Sequence, residues 1–448
     1  MTIAKVATAS ENTPQPLLRV RDAVGLIIGI VVGAGIFSAP SLVAANAGSP
    51  GGMLLSWVVG GLIALAGAMC YAELAAAHPH SGGDYHYLKL AFGRNISFLF
   101  AWARLTVIPT GSIALLAYVF GDYASQIYQL GERSSAIYAA LVVALLTGVN
   151  IAGLRQGKGT QNLLTIVEVL GVSLVIIAGL LLLPSPAPAE PGPILSASAN
   201  WGLVLIFVML TYGGWNEAAY ISAELRGPRR NIARALFLSI AIITCLYVLI
   251  NFAYWNALGL TDMGQSEAVA ADTMRRAMGE QGAQLVSLLV AISALTSANA
   301  TVLMGARTTY AFGRDVPLFS ALGRWQGSAP VNALLAQGGI ALALVFLGSV
   351  TRSGFQTMVE YTAPVFWFFF LLTGLSLFVL RIREPNTPRP FRVPLYPLTP
   401  IVFVLTSAYL LYASIMHTGI GALVGIAVLA CGVPVLWYCR TRSRQPAY

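Results

Sequence analysis

Two short stretches of an otherwise apolar chain leave bare backbone where a ligand could be held. The stretch "VVGAGIF" (31 to 37) carries Gly33 and Gly35 inside one hydrophobic run, and "LTYGGWNEAAY" (210 to 220) carries Gly213 and Gly214 inside another. Glycine costs a helix interior about 1 kcal/mol relative to alanine. Broken backbone in an apolar medium leaves N–H and C=O groups unpaired, at several kcal/mol each unless something bonds them. Amides around Gly33, Ala34 and Gly35 can hold an anion at the positive end of the helix that starts there. Carbonyls around Leu210, Thr211 and Gly213 can accept hydrogen bonds from a cation. Together they describe a clamp for a zwitterion, carboxylate on one side and ammonium on the other. Paired small residues also serve close helix packing, which is the alternative reading of either pair taken singly.

The elements that must position these stretches are membrane helices. Of 448 residues, 57% are hydrophobic and 10% charged, and the mean hydropathy is +0.75, far from the balance of a soluble domain. At about 20 apolar residues per span, candidate spans fall at 23–45, 52–76, 96–121, 135–153, 162–183, 201–225, 233–257, 283–309, 331–350, 355–380, 398–416 and 419–439. The expected fold is all-α and polytopic, with 12 transmembrane helices. With the amino terminus inside, 21 basic residues fall in seven inside segments, against Arg133, Arg275, Arg276 and Arg352 outside. Both termini are therefore expected to be cytoplasmic, in a multi-pass protein of the plasma (inner) membrane. A formal charge of +9 spread over seven segments does not make a nucleic-acid site. The polar first twenty residues show no apolar run ahead of the first span, so no removable signal peptide is expected.

The two breaks fall in the first and sixth spans, five helices apart. Interrupted helices in matching positions of two halves point to a transporter built from an inverted repeat, with its site between the breaks. An odd number of helices per half forces the halves into opposite orientations. The expected organisation is a cytoplasmic tail (1–20), a ten-helix five-plus-five inverted-repeat core (21–382), a cytoplasmic linker (383–400), and two extra helices with a tail (401–448).

Other reactive side chains offer less. Glu73 and Glu224 lie near the cytoplasmic ends of their helices and are expected to pair with arginines such as Arg226, Arg229 or Arg230. Arg104 and Glu360 lie deeper; Arg104 is given a structural role, reaching the inner surface by snorkelling. Glu217, about one turn past Gly213, is given a packing role, the absence of any other acid beside the breaks favouring neutral substrates. Tyr212, Trp215 and Trp102 are candidates to line an apolar pocket, with plain packing the commoner use of membrane aromatics. His78, His80 and His86 share one inside loop, but their spacing sets no tetrahedral geometry, and no metal or cofactor is expected. Cys70, Cys245, Cys431 and Cys439 show no paired spacing. No HExxH motif, membrane-depth Ser–His pair or paired aspartates suggest an enzyme. No filter-like repeat or charge ring suggests a channel.

The segments "GIVVGAGIF" (29–37), "YAELAAAHPHSGGDYHYL" (71–88), "GTQNLLTIVEVLG" (159–171) and "LTYGGWNEAAYISAELRGPRRNI" (210–232) resemble motifs of the amino acid, polyamine and organocation transporter superfamily. The likeness is to the L-type amino acid transporter branch and its bacterial relatives. It runs in register over helices one to eight. It implies alternating access to a central site whose carboxylate-binding segment falls on Val31, Gly33, Ala34 and Gly35. The ammonium-binding segment falls on Leu210, Thr211 and Gly213, and Asn216 sits at a position that contacts substrate. Two departures stand out. Leu210 replaces an aromatic gate residue, and Glu168 replaces a lysine whose ammonium stands where sodium-coupled members of the fold bind a cation. An unpaired carboxylate there would either carry a proton or hold a cation, with Thr296 and Ser297 of "LTSANA" as oxygen ligands. A structural pairing of Glu168 with Asn299 or another polar neighbour is the alternative. The expected function is secondary transport of small or medium neutral L-amino acids, coupled to a proton ahead of sodium. An exchanger, a sodium symporter, or a carrier of cationic amino acids or polyamines remain as alternatives, and the oligomeric state is not specified by the sequence.

Overall fold

The computed structural model describes residues 19–80, 82–153, 158–183, 199–216, 230–326, 329–350, 353–417 and 419–443. Of these, 84% are helical and none forms a strand. Sixteen helices can be numbered along the described chain: α1 Val20–Val31, α2 Ala39–Ala47, α3 Pro50–Ala77, α4 Asp84–Phe92, α5 Arg94–Thr106, α6 Ile108–Ile127, α7 Ser134–Ile151 and α8 Lys158–Ile177. They continue with α9 Trp201–Thr211, α10 Arg230–Gln265, α11 Val269–Asp315, α12 Val331–Ser349, α13 Gly354–Arg383, α14 Leu398–Met416, α15 Ile420–Ala430 and α16 Gly432–Ser443.

Local sequence sets several of these boundaries. Ser49 caps α3 by accepting from the Gly52 amide at 3.1 Å, with Pro50 in the first turn. Asn200 caps α9 through Leu203 N, and Ser353 caps α13 through Gln356 N. Among the described residues nine helices are long and apolar enough to cross a membrane. The expected spans outside that set are the first, fifth and sixth. The first is cut into α1, a 3₁₀ turn at Ala34–Phe37, and α2. The fifth passes from α8 into a wide turn at Ala178–Leu182, and the described part of the sixth stops at Asn216. The third is also jointed, at Val107, with Pro109 in the first turn of α6.

The core forms around the interrupted elements. Helix α10 packs on α1, α2 and α3, and α11 packs on α6, α8 and α10. Helix α13 crosses the other side, against α6, α14 and α15. Aromatic edges fill one layer: Trp215 lies 5.2 Å from Tyr71 and 5.6 Å from Phe403, centroid to centroid.

A buried ion pair ties three elements at one end of the molecule. Glu73, fully buried in the last turn of α3, accepts from Arg381 Nε at 2.7 Å and Nη2 at 2.6 Å, and from the Val393 amide at 2.6 Å. Arg389 Nε lies 3.6 Å away, and Tyr396 covers the Arg381 guanidinium at 3.7 Å. Among the described residues the partners come from α13 and the segment after it. Glu224, Glu217, Arg226 and Arg229 lie outside the described residues, as does the Arg230 side chain. Removing one member of a buried pair costs about 3 kcal/mol or more. Glu73→Ala should accordingly lower the melting temperature of the detergent-solubilised protein by a stability loss of about that size, and an unshifted melting curve would contradict this role.

Candidate functional site

The first helix stops because the chain turns away at Gly33, whose backbone is extended (φ −138°, ψ −171°). The 3₁₀ turn that follows makes its first bond from Ile36 N to Gly33 O. The amides of Gly33, Ala34 and Gly35 precede that bond, and no described backbone group accepts from them. The sixth span stops where Gly213 N turns back to Leu210 O at 3.0 Å and Gly214 takes a φ of 100°, a conformation open mainly to glycine. The two breaks lie against each other. A Cβ built on Gly35 would sit 3.7 Å from Thr211 Cα, whereas one on Gly33 would meet only open space.

Buried tyrosines satisfy the carbonyls that the breaks expose. Tyr247 of α10 lies 3.0 Å from both Val31 O and Thr211 O, so one hydroxyl proton is shared between the ends of both interrupted helices. Tyr123 of α6 donates to Phe37 O at 2.6 Å, and Tyr254 reaches toward Ile36 O at 3.5 Å. None of the three was expected from the sequence. The signal was present, because Tyr247, Asn251 and Tyr254 form a polar stripe at helical spacing on an otherwise apolar helix.

Between the breaks lies a cavity of about 430 Å³. Val31, Gly33, Ala34, Gly35, Leu210, Thr211, Gly213, Asn216, Glu168, Thr296 and Ser297 all line it. The aromatic candidates do not. Tyr212 donates to Trp57 O at 2.8 Å, Trp102 Nε1 donates to Val428 O at 2.8 Å, and Trp215 is packed in the core. The aromatic wall of the cavity comes instead from Phe366 and Trp367 of α13. Arg104, given a structural role from the sequence, also lines it.

Glu168 of α8 faces α11. Ser293 Oγ donates to its Oε1 at 2.5 Å, and Ser297, one turn on, lines the cavity with it. Thr296, in contrast, donates to Ile292 O within its own helix at 2.8 Å. Of the alternative polar partners, Asn299 is engaged elsewhere, accepting from Asn150 Nδ2 at 2.7 Å, and Ser293 takes that place. Ser293 was missed in the sequence, although its four-residue spacing from Ser297 places both on one helix face.

The histidine loop lies away from the cavity. His80 stacks on His86 with centroids 4.1 Å apart, and His78 Nε2 stands 3.8 Å from Glu384. Burial holds His78 and His86 below the ordinary imidazole value. Glu360 accepts from Gln356 Nε2 at 2.9 Å along α13.

Residues 18–433 match the family described as amino acid permease. The chain is 33% identical over 403 residues to the b(0,+)-type amino acid transporter 1 of Rattus norvegicus, covering 88% of this chain and 81% of that one. It is 33% identical over 430 residues to the large neutral amino acids transporter small subunit 2 of Mus musculus (92% and 79%), and 32% identical to the Homo sapiens protein of the same name (92% and 78%). These relatives are named as transporters, not enzymes.

The geometry makes Tyr247 the hinge pin of both breaks. Tyr247→Phe removes the hydroxyl that, among the described residues, reaches both carbonyls and should cost about 1–3 kcal/mol, measured by thermal unfolding in detergent. A variant as stable as the parent would mean that the carbonyls find other donors.

Proposed function

The chain belongs to the amino acid permease family, and from that premise we propose that it is a secondary transporter of small or medium neutral L-amino acids, driven by a proton. The reading has 12 membrane spans, a five-plus-five inverted-repeat core with helices 1 and 6 broken, two appended helices, and both termini in the cytoplasm of a cell whose plasma (inner) membrane it crosses. The observation that carries it is the cavity between the two breaks, which has uncommitted amides of Gly33, Ala34 and Gly35 on one wall and the carbonyl end of α9 on the other. An α-amino acid satisfies both, its carboxylate on the first break and its ammonium near Leu210, Thr211 and Gly213, with Asn216 in reach. The neutral preference is supported by the apolar wall of Leu210, Phe366 and Trp367, and by relatives whose name specifies large neutral amino acids.

Coupling is assigned to Glu168. A carboxyl in reach of the Ser293 and Ser297 hydroxyls can take up and release a proton without completing a coordination shell, whereas sodium needs several oxygen ligands at once. Thr296 stands beside it with its own proton committed to the helix. Alternating access then follows if protonation at Glu168 and amino acid binding at the neighbouring break favour the same arrangement of the first helix against α11.

Labelled substrate should accumulate in proteoliposomes under an imposed inward pH gradient, and Glu168→Gln should remove the response by at least tenfold. Accumulation under sodium alone would assign the ion differently, and no response to either gradient would make the protein an exchanger or uniporter. Filling the cavity is the companion expectation. Gly33→Leu meets no described neighbour at its Cβ, so transport should fall at least a hundredfold with the melting temperature unchanged. Retained transport in that variant would move the site elsewhere.

A further inference from the structure

Among the described residues that line the cavity, two carry charge, Glu168 and Arg104. Glu168 is engaged by Ser293. Arg104 is not matched in the same way. It lies ten residues into α5, which begins at Arg94, or about 15 Å along a helix axis, near the middle of a hydrocarbon layer of roughly 30 Å. The helix is interrupted just beyond it, at Val107. Its Nε is shut off from solvent and has no hydrogen-bond partner, and among the described residues no carboxylate lies within ion-pair distance of it. A guanidinium at such depth is expensive unless it faces a partner or a water-filled cavity. Here it faces the cavity, and whatever enters the cavity meets its field.

We propose that Arg104 is the specificity-determining residue of the site, barring amino acids with cationic side chains and admitting those with neutral or anionic ones. This deepens the reading of the cavity as an amino acid site and rests on it. The α-ammonium and α-carboxylate are common to every amino acid and are handled at the two breaks, so they cannot distinguish one side chain from another. A fixed positive charge on the cavity wall can. In a partly desolvated space, like charges a few ångströms apart repel strongly enough to shift binding by tenfold or more, and opposite charges attract correspondingly. Arginine also stays protonated throughout the biological pH range. The filter is therefore constant with pH, in contrast to the coupling assigned to Glu168.

The test is competition in proteoliposomes, using labelled alanine and labelled leucine with unlabelled lysine, glutamate and the neutral parent as competitors. Uptake of neither label by the wild type, into empty liposomes or into liposomes preloaded with unlabelled amino acid, would refute the neutral amino acid reading itself. Given uptake, lysine should compete at least tenfold more weakly than the neutral parent in the wild type, with the same ratio at pH 6 and pH 8. In Arg104→Gln the lysine-to-neutral ratio should narrow at least fivefold and glutamate should lose ground, while Arg104→Lys should keep lysine excluded. The readout is a ratio, so a change in overall rate does not affect it. Lysine competing on a par with the neutral parent in the wild type would overturn the assignment, as would an unchanged ratio in Arg104→Gln. Where Arg104→Gln does not yield folded protein, loss of lysine exclusion in Arg104→Lys would overturn it and retention would support it.

Discussion

Peptide groups in an apolar medium must be bonded, and that requirement governs the structure around the cavity. Two helices are interrupted, and each interruption exposes several N–H and C=O groups that apolar surroundings cannot bond. The carbonyl side is met from within the fold. Tyr247 bridges Val31 O and Thr211 O, and Tyr123 meets Phe37 O. The amide side, at Gly33, Ala34 and Gly35, is left facing the cavity. That asymmetry is what a ligand with a carboxylate can exploit, since its binding replaces an unsatisfied state rather than competing with an internal bond.

The same reasoning separates the charged groups by role. Glu73 is wholly committed, with two bonds from Arg381 and one from the Val393 amide joining α3, α13 and the segment beyond. A carboxylate so bonded has no capacity left for chemistry, and it ties together elements that meet at one end of the molecule. Glu168 is only partly committed, and Arg104 still less. Glu168 and Arg104 line the cavity, and Glu73 does not. The shared Tyr247 proton adds a mechanical element, because a shift of one broken helix relative to the other would force that single hydroxyl to choose between its two acceptors.

Much of this was legible in the sequence because glycine and hydropathy carry strong signals. The pairs Gly33/Gly35 and Gly213/Gly214 located the breaks, and the eleven residues proposed from them and from the family resemblance line one cavity. What escaped depended on pairing across helices. Ser293 and Tyr247 are ordinary polar residues on long apolar helices until their neighbours are known. Asn299 could be matched to Glu168 on paper, but Asn150 of α7 holds it instead. Tyr212, Trp215 and Trp102 have the right chemistry for a pocket wall, yet helix rotation turns them into the packing, while Phe366 and Trp367 enter from a helix without a break. The cavity-lining position of Arg104 escaped for a related reason. Depth along a helix can be counted from sequence, but whether a side chain faces lipid, protein or cavity cannot.

The central claim is that bare backbone at the two breaks holds both ends of an α-amino acid, and it is tested most directly by calorimetric binding to the purified protein. A transported L-amino acid is compared with its N-acetylated and its decarboxylated analogue, which keep the side chain and remove one charged end each. The account predicts that either change weakens binding at least a hundredfold, because each removes the ligand's charged contact with one of the two broken segments. Analogues that bind as tightly as the parent would contradict it, and the side chain would then have to be what the cavity recognises.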